Sequence, residues 1–330
     1  MRLIRVIGLL AMLLSVPLPA LAQSTPEAAS PAAASGDFAG LIDISGRSLY
    51  LECHGTGSPT VVLVAGYRSS ARYWSDDLLQ PDAPRTMVLP AVAESTRVCA
   101  YDRPGTYASI GEEILPSRSD PIAQPRNAPE VVAELHTLLQ TAGVPGPYVL
   151  AGHSLGGFIS RLYASTYPEE VVGVVLVDAF SERLETLLPP ERWEALVQLN
   201  RDFGTDTVVP IPGYGDVETI GYGADNAVMR ETAAAMPLPP LPLAVLAHGQ
   251  PFALPEDAQG FTSEELESFL SAANEDLATL VPSARYFVAS ESGHDIHQDQ
   301  PELVSEAVRQ MVAGVRNPAA WYGLNSCCAE

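Results

Sequence analysis

Tyr148-Val149-Leu150-Ala151-Gly152-His153-Ser154-Leu155-Gly156-Gly157 is the stretch on which the reading of this chain turns. Four residues suited to a buried strand run into Gly-x-Ser-x-Gly, and a helical pattern over residues 157–167 follows, closed by Pro168. A chain that passes from strand to helix this abruptly leaves little room around the serine. Glycines on both flanks let backbone and helix approach closely. The strained turn presents the hydroxyl above the edge of the sheet. The helix N-terminus behind it favours developing negative charge. Ser154 is therefore the expected nucleophile.

Working outward, Val61-Val62-Leu63-Val64-Ala65 and Val171 to Val177 are continuous apolar runs, as in strands buried on both faces. Residues 97–101, 243–247 and 285–289 read as further strands, and residues 41–44 and 48–53 as a hairpin with a half-buried second arm. Helical periodicity fills the gaps at 129–142, 263–280 and 301–315. Strands alternating with helices predict an α/β architecture with a mostly parallel sheet covered on both sides. Residues 181–240 break the alternation. They hold two expected helices, 190–200 and 225–235, in an insertion placed to cover the active-site edge.

A serine needs a base. The chain has six histidines, at 54, 136, 153, 248, 294 and 297, and only the last two follow the final strand. His294, in Ser292-Gly293-His294, is the expected base, ahead of His297. His153 stands beside the serine but points elsewhere in a turn of this type. His54, His136 and His248 read as structural. The acid that must orient the base is expected at Asp178, which caps the strand next to the one bearing Ser154. Asp257 and Glu256 are the alternatives. The oxyanion needs two backbone N–H donors, expected at Leu155 and at Tyr67 in the loop after residues 61–65.

The composition is that of a globular protein: 330 residues, 47% hydrophobic and 18% charged. Arg2 and Arg5, the apolar run 6–16 and Ala20-Leu21-Ala22 predict a secretory signal peptide over residues 1–22, too short in its apolar run to span a bilayer. An uncleaved membrane anchor is the alternative. Residues 23–37, rich in Ala, Ser and Pro, read as a disordered linker before a domain over 38–318 and a C-terminal tail over 319–330. Loss of the two leader arginines takes the net charge from −22 to −24. Such a surface repels nucleic acid and anionic membranes, so neither is an expected partner. A secreted or periplasmic setting permits disulfides among Cys53, Cys99, Cys327 and Cys328, whose spacings match no zinc pattern. No cofactor or metal is expected.

On these residues the chain resembles the α/β-hydrolase superfamily across roughly residues 41–316. The segments that carry the likeness are 61–67, Cys-Ala-Tyr-Asp-Arg-Pro-Gly at 99–105, 152–157 and 292–294. It is most similar to bacterial esterase-like members with a Tyr-Asp-Arg-x-Gly turn. The resemblance implies an eight-stranded sheet and a helical cap between its sixth and seventh strands, matching residues 181–240. It also implies that the second strand lies beside the fourth, which would bring Cys53 and Cys99 onto neighbouring strands as a possible disulfide. The position that commonly supplies the acid after the seventh strand holds Phe252; some members take the acid from the end of the sixth, where Asp178 lies. The implied activity is hydrolysis of a small or medium carboxylic ester through an acyl-enzyme on Ser154. Peptidase, lactonase, thioesterase, carbon–carbon hydrolase and cofactor-free haloperoxidase chemistry are alternatives, as is a non-catalytic small-molecule binding protein. The serine argues against dehalogenase and epoxide hydrolase chemistry, which use aspartate in this fold. Tyr73, Trp74, Trp193, Phe203, Tyr214 and Tyr222 are candidates for lining the substrate pocket.

Overall fold

The computed structural model describes residues 36–205, 216–254 and 258–324. The expected leader, the linker up to residue 35, Tyr214, the acid candidates Glu256 and Asp257, and Cys327 and Cys328 lie outside the described residues.

The strands are β1 (Phe38–Asp43), β2 (Ser48–His54), β3 (Thr60–Val64), β4 (Val98–Tyr101), β5 (Tyr107–Ile110), β6 (Glu113–Pro116), β7 (Tyr148–His153), β8 (Val171–Val177), β9 (Leu243–His248) and β10 (Ala284–Ala289). Eight of them form one sheet in the order β1-β2-β4-β3-β7-β8-β9-β10. β2 pairs antiparallel with β1 and β4, and every other pairing in this sheet is parallel. This is the expected eight-stranded, mostly parallel sheet. The hairpin β5–β6 stands apart from it. No reading of the sequence anticipated the hairpin, whose two arms are four residues each and only partly buried.

Side chains alternate across a strand, so a run that is apolar at every position feeds two cores. Val62 and Val64 join one core with Leu135, Leu138, Phe158 and Leu162. Val61 and Leu63 join the other with Val88, Val92, Val304 and Met311. The helices are α1 (Arg72–Ser75), α2 (Val88–Ala93), α3 (Ala128–Thr141), α4 (Leu155–Thr166), α5 (Leu184–Leu187), α6 (Pro190–Thr205), α7 (Tyr222–Ala235), α8 (Ser263–Leu277), α9 (Ile296–Asp299), α10 (Pro301–Arg316) and α11 (Pro318–Tyr322), of which α2, α3, α4 and α10 supply these residues. α3 starts where Asn127 and Glu130 form a reciprocal capping box. α11 falls almost wholly within the residues expected as a tail, yet its Trp321 is fully buried in the second core.

The segment between β8 and β9 contains α5, α6 and α7. A third, smaller apolar cluster joins it to α8 through Leu184, Leu196, Leu199, Phe261 and Leu266. Cys53 lies directly opposite Cys99 in the β2–β4 register, and the two form a disulfide with Cα atoms 4.0 Å apart.

Candidate active site

β7 and α4 are joined through one residue, Ser154, whose φ of 51° and ψ of −120° lie where few residues other than glycine go. Backbone bonds hold the turn. The Ser154 N–H donates to the Val177 carbonyl at 3.1 Å, and the Ser154 carbonyl accepts from Phe180 N at 3.0 Å. A methyl group on Gly156 would collide with the Val64 carbonyl oxygen, and one on Gly152 with the Gly156 carbonyl. The spacing of glycines is thus a packing requirement. Because the helix begins at Leu155, two residues before the expected start, its first N–H groups lie next to the serine.

Asp178 follows β8 at a φ of 43°, and its carboxylate is buried. Its Oδ2 accepts from His294 Nδ1 at 2.5 Å. Its Oδ1 accepts from His248 Nδ1 at 2.7 Å, from Asn274 Nδ2 at 3.2 Å and from the His248 N–H at 3.3 Å. His248 reaches Glu267 Oε2 at 2.7 Å with its other ring nitrogen. Burial opposes charge on His248, but the two carboxylates outweigh it and raise its pKa to about 9. Burial alone would raise the pKa of Asp178; the two histidines reverse this and hold the carboxyl well below the ordinary range. His294 is also burdened by burial, and Asp178 raises its pKa in spite of it.

Behind His294 lies a stack of neutral rings. His153 is 4.5 Å from the His294 ring and 4.3 Å from the His297 ring, centroid to centroid. Its Nε2 donates to the His294 carbonyl at 3.0 Å and so steadies the loop that carries His294. Burial, followed by the proximity of His294, pushes the His153 pKa down to about 3. His297 is wholly enclosed against Trp74, and burial keeps its pKa well below the ordinary value. The atoms of His153, His297 and Asp295 come within 4.8 Å of one another. The rings are tilted against one another, at 52° for His153–His294 and 40° for His153–His297, and His153 Nε2 is already bonded to the His294 carbonyl.

The loop after β3 is fixed from two sides. Arg103 is fully buried and donates to the carbonyls of Ala65 at 2.8 Å and Gly66 at 2.5 Å. The same guanidinium meets Glu218 Oε1 at 2.6 Å, and Glu218 Oε2 accepts from the Arg68 N–H at 2.7 Å. Neighbouring Asp102 takes two bonds from the Arg118 side chain, at 2.8 and 2.9 Å, and one from the Ala71 N–H at 2.9 Å. The Tyr-Asp-Arg-x-Gly turn therefore works as a double anchor for residues 65–71.

A cavity of about 420 Å³ opens over these groups. Ser154, His294, Gly66, Tyr67, Tyr73 and Asp295 line it together with an apolar group of Leu184, Leu196, Leu199, Leu266 and Leu270, and Phe252 stands against His294. That volume is within the range of small-molecule sites.

Residues 61–307 match the family model of the Alpha/beta hydrolase family. The chain belongs to the alpha/beta hydrolase family. Its sequence is 25% identical over 305 residues to an AB hydrolase superfamily protein of Gibberella zeae, covering 78% of this chain and 87% of that one. It is 32% identical over 183 residues to an uncharacterised protein of Schizosaccharomyces pombe, covering 48% of this chain. This alpha/beta hydrolase spans only 32% of the length of the Schizosaccharomyces pombe protein and 23% of the protein efuK from Hormonema carpetanum. Among solved structures it is similar in fold to an esterase from Thermogutta terrifontis, at a TM-score of 0.52 and 19% identity, covering 84% of this chain and 99% of that one.

Of the residues singled out in the sequence, Ser154, His294, Asp178 and Tyr67 all border the one cavity, and Leu155 opens α4 beside Ser154. Tyr73 and Tyr222 line it too. Trp74 does not: it is buried in the core against His297. Trp193 packs against the leucine cluster instead, and the Phe203 side chain lies outside what is described. The sequence reading missed that His248 touches Asp178, along with Glu267, Asn274 and the Arg103–Glu218 pair. The ends of adjacent strands could have pointed to the first of these. Val177 pairs with Leu246 in register, so the residues just past them reach the same edge. Among the described residues, no helix is long and apolar enough to cross a membrane.

Proposed function

We propose that this chain is a serine hydrolase acting on carboxylic esters, with Ser154 as nucleophile, His294 as base and Asp178 as the acid that orients it. The observation that carries this is the 2.5 Å bond from His294 Nδ1 to Asp178 beside a serine held at positive φ in the same cavity. With Nδ1 committed to Asp178, Nε2 is the nitrogen left to take the Ser154 proton. Ser154 Oγ attacks the acyl carbon and its proton passes to Nε2. The backbone N–H groups of Tyr67 and Leu155 receive the oxyanion, the latter as an unpaired first-turn donor of α4. The imidazolium then protonates the departing alkoxide. Water, deprotonated by His294, releases the carboxylic acid and restores the serine.

The leucines that line the cavity suit an apolar acyl group of small or medium size, covered by the cap over residues 181–240. The Cys53–Cys99 bond supports the export implied by a leader over residues 1–22, to a secreted or periplasmic location. An ester-like small molecule is the proposed partner, and the net charge of −22 argues against nucleic acid.

The test is fluorophosphonate labelling combined with hydrolysis of p-nitrophenyl esters of graded acyl length. Wild type should label at Ser154 and turn over, and Ser154→Ala should do neither. An unlabelled Ser154 in the folded protein, or a Ser154→Ala variant as active as wild type, overturns the reading.

A further inference from the structure

The Asp178 carboxylate has two histidine partners, and the mechanism above uses one of them. His248 lies on the far oxygen, at the end of β9, just before the loop in which Phe252 holds the position that commonly supplies the acid in the family. Its two ring nitrogens are both 2.7 Å from carboxylate oxygens, one on Asp178 and one on Glu267 of α8. Only the doubly protonated ring can donate to both. Asn274, also on α8, adds a neutral donor to the same Asp178 oxygen. Glu267 is itself oriented, since its other oxygen accepts from the Phe252 N–H at 2.8 Å. The Phe252 ring stands 5.1 Å from both histidine rings.

We propose that His248 is a positioning residue for the Ser154–His294 reaction: a cation clamped by Glu267 that fixes the far oxygen of Asp178 and so aims the near one at His294. This rests on the serine hydrolase reading. Two consequences follow from the charges. A carboxylate rotated or displaced by loss of its far partners would no longer hold the His294 ring in register. A cation on its far side also limits how strongly Asp178 favours the protonated form of His294, leaving more of the base free at neutral pH.

The groups facing His294 are Asp178 from β8, His248 and then Glu267 behind it, Asp295 on its own loop, and the neutral rings of His153 and His297. The groups facing His248 are Asp178, Glu267 and, across the carboxylate, His294. Of these, His248 is expected to titrate near pH 9, and His294 is raised as well. Neutral His248 keeps one N–H for two carboxylates, so one bond must be given up.

The experiment is the pH profile of kcat/KM for p-nitrophenyl ester hydrolysis by wild type, His248→Gln and Glu267→Gln, with fluorophosphonate labelling in parallel. Wild type should show an alkaline decline centred near pH 9. Glu267→Gln, which removes the carboxylate that holds the proton on His248, should move that decline down by about one pH unit and leave KM within about twofold. His248→Gln should lose the decline, shift the acid limb upward and lower the plateau in kcat by at least about tenfold. A purely structural role would lower the active fraction at every pH without moving either limb. Wild-type limbs retained in both variants overturn the proposal. Should His248→Gln fail to fold by circular dichroism, the alkaline limb of Glu267→Gln decides alone. Failure of the underlying reading is distinguishable, because there wild type itself would not label at Ser154.

Discussion

Two carboxylate clusters lie at the C-terminal ends of the parallel strands, and they are built from different partners. After β4, Asp102 and the Glu218 that meets Arg103 are held by arginines. After β8, Asp178 is held by histidines. An arginine stays charged at any pH the protein meets, so its cluster is a fixed mechanical tie. A histidine exchanges its proton near neutrality, so its cluster can take part in acid–base chemistry. One sheet edge thus carries a rigid anchor for the loop after β3 beside a site that can exchange protons. The largest test of that division is Asp178→Asn. It should lower kcat by roughly 10⁴-fold, because the amide leaves His294 in the wrong tautomer, while thermal stability changes little by comparison. Steady-state kinetics with calorimetry on the same sample would check it; a loss under tenfold would break the contrast.

The arginine cluster should answer the opposite way. Arg103 and Glu218 are 0% and 1% exposed in their side chains, and neither has water to fall back on. Arg103→Met would strand Glu218 and remove the donors to two loop carbonyls, at a cost of about 3–5 kcal/mol. Denaturant unfolding would measure it. The double variant Arg103→Met/Glu218→Gln should recover part of the loss, since the stranded charge is then gone. Equal instability of single and double variants would show that the carbonyl bonds, not the ion pair, dominate.

Stability against pH separates the clusters further. His153 and His297 have folded pKa values depressed by burial, so the unfolded chain takes up protons that the folded chain refuses. Their stabilisation is present above the ordinary histidine pKa of about 6.5 and falls as pH drops below it. The His153 ring should cost about 2 kcal/mol between pH 7 and pH 5, and His297 adds to the loss in the same direction. His248 has the reverse sign: its raised pKa gives stability that is complete below about 6.5 and lost as pH rises through about 9. Replacing His297 by Leu should reduce the acid slope in urea titrations at the two pH values. An unchanged slope would mean that the acid sensitivity lies in the carboxylates.

How much of this was legible follows from the distance over which each signal acts. Ser154 was readable because strand, glycines and helix are contiguous in sequence. The sheet was readable because two cores demand uninterrupted apolar runs at residues 61–65 and 171–177. His294 was readable from its place after the last strand, and Asp178 from its place at a strand end. The Cys53–Cys99 bond needed the strand order, which came from family likeness. His248 was invisible as a partner because a lone histidine after a strand carries no local mark. Glu267 is one acid among several on an amphipathic helix, and Arg103 meets Glu218 across 115 residues of chain. β5 and β6 are too short and too exposed to leave a period.

The smallest effect tests whether the arginine cluster depends on charge or on shape. Arg118 grips Asp102 with Nε and Nη2 at 2.8 and 2.9 Å and lies 3.4 Å over the Tyr50 ring. Its side chain is 24% exposed, so screening weakens the purely electrostatic share. Lysine keeps the charge but cannot form the two-pronged contact or stack its planar group. Arg118→Lys should therefore cost about 1 kcal/mol, leave kcat within about twofold, and change little with salt. Strong salt dependence would instead mark the tie as Coulombic. If kcat fell severalfold, Asp102 would have to reach the chemistry through the Ala71 N–H that it holds, and the boundary between anchor and protonic site would need to be redrawn on the oxyanion side of Ser154.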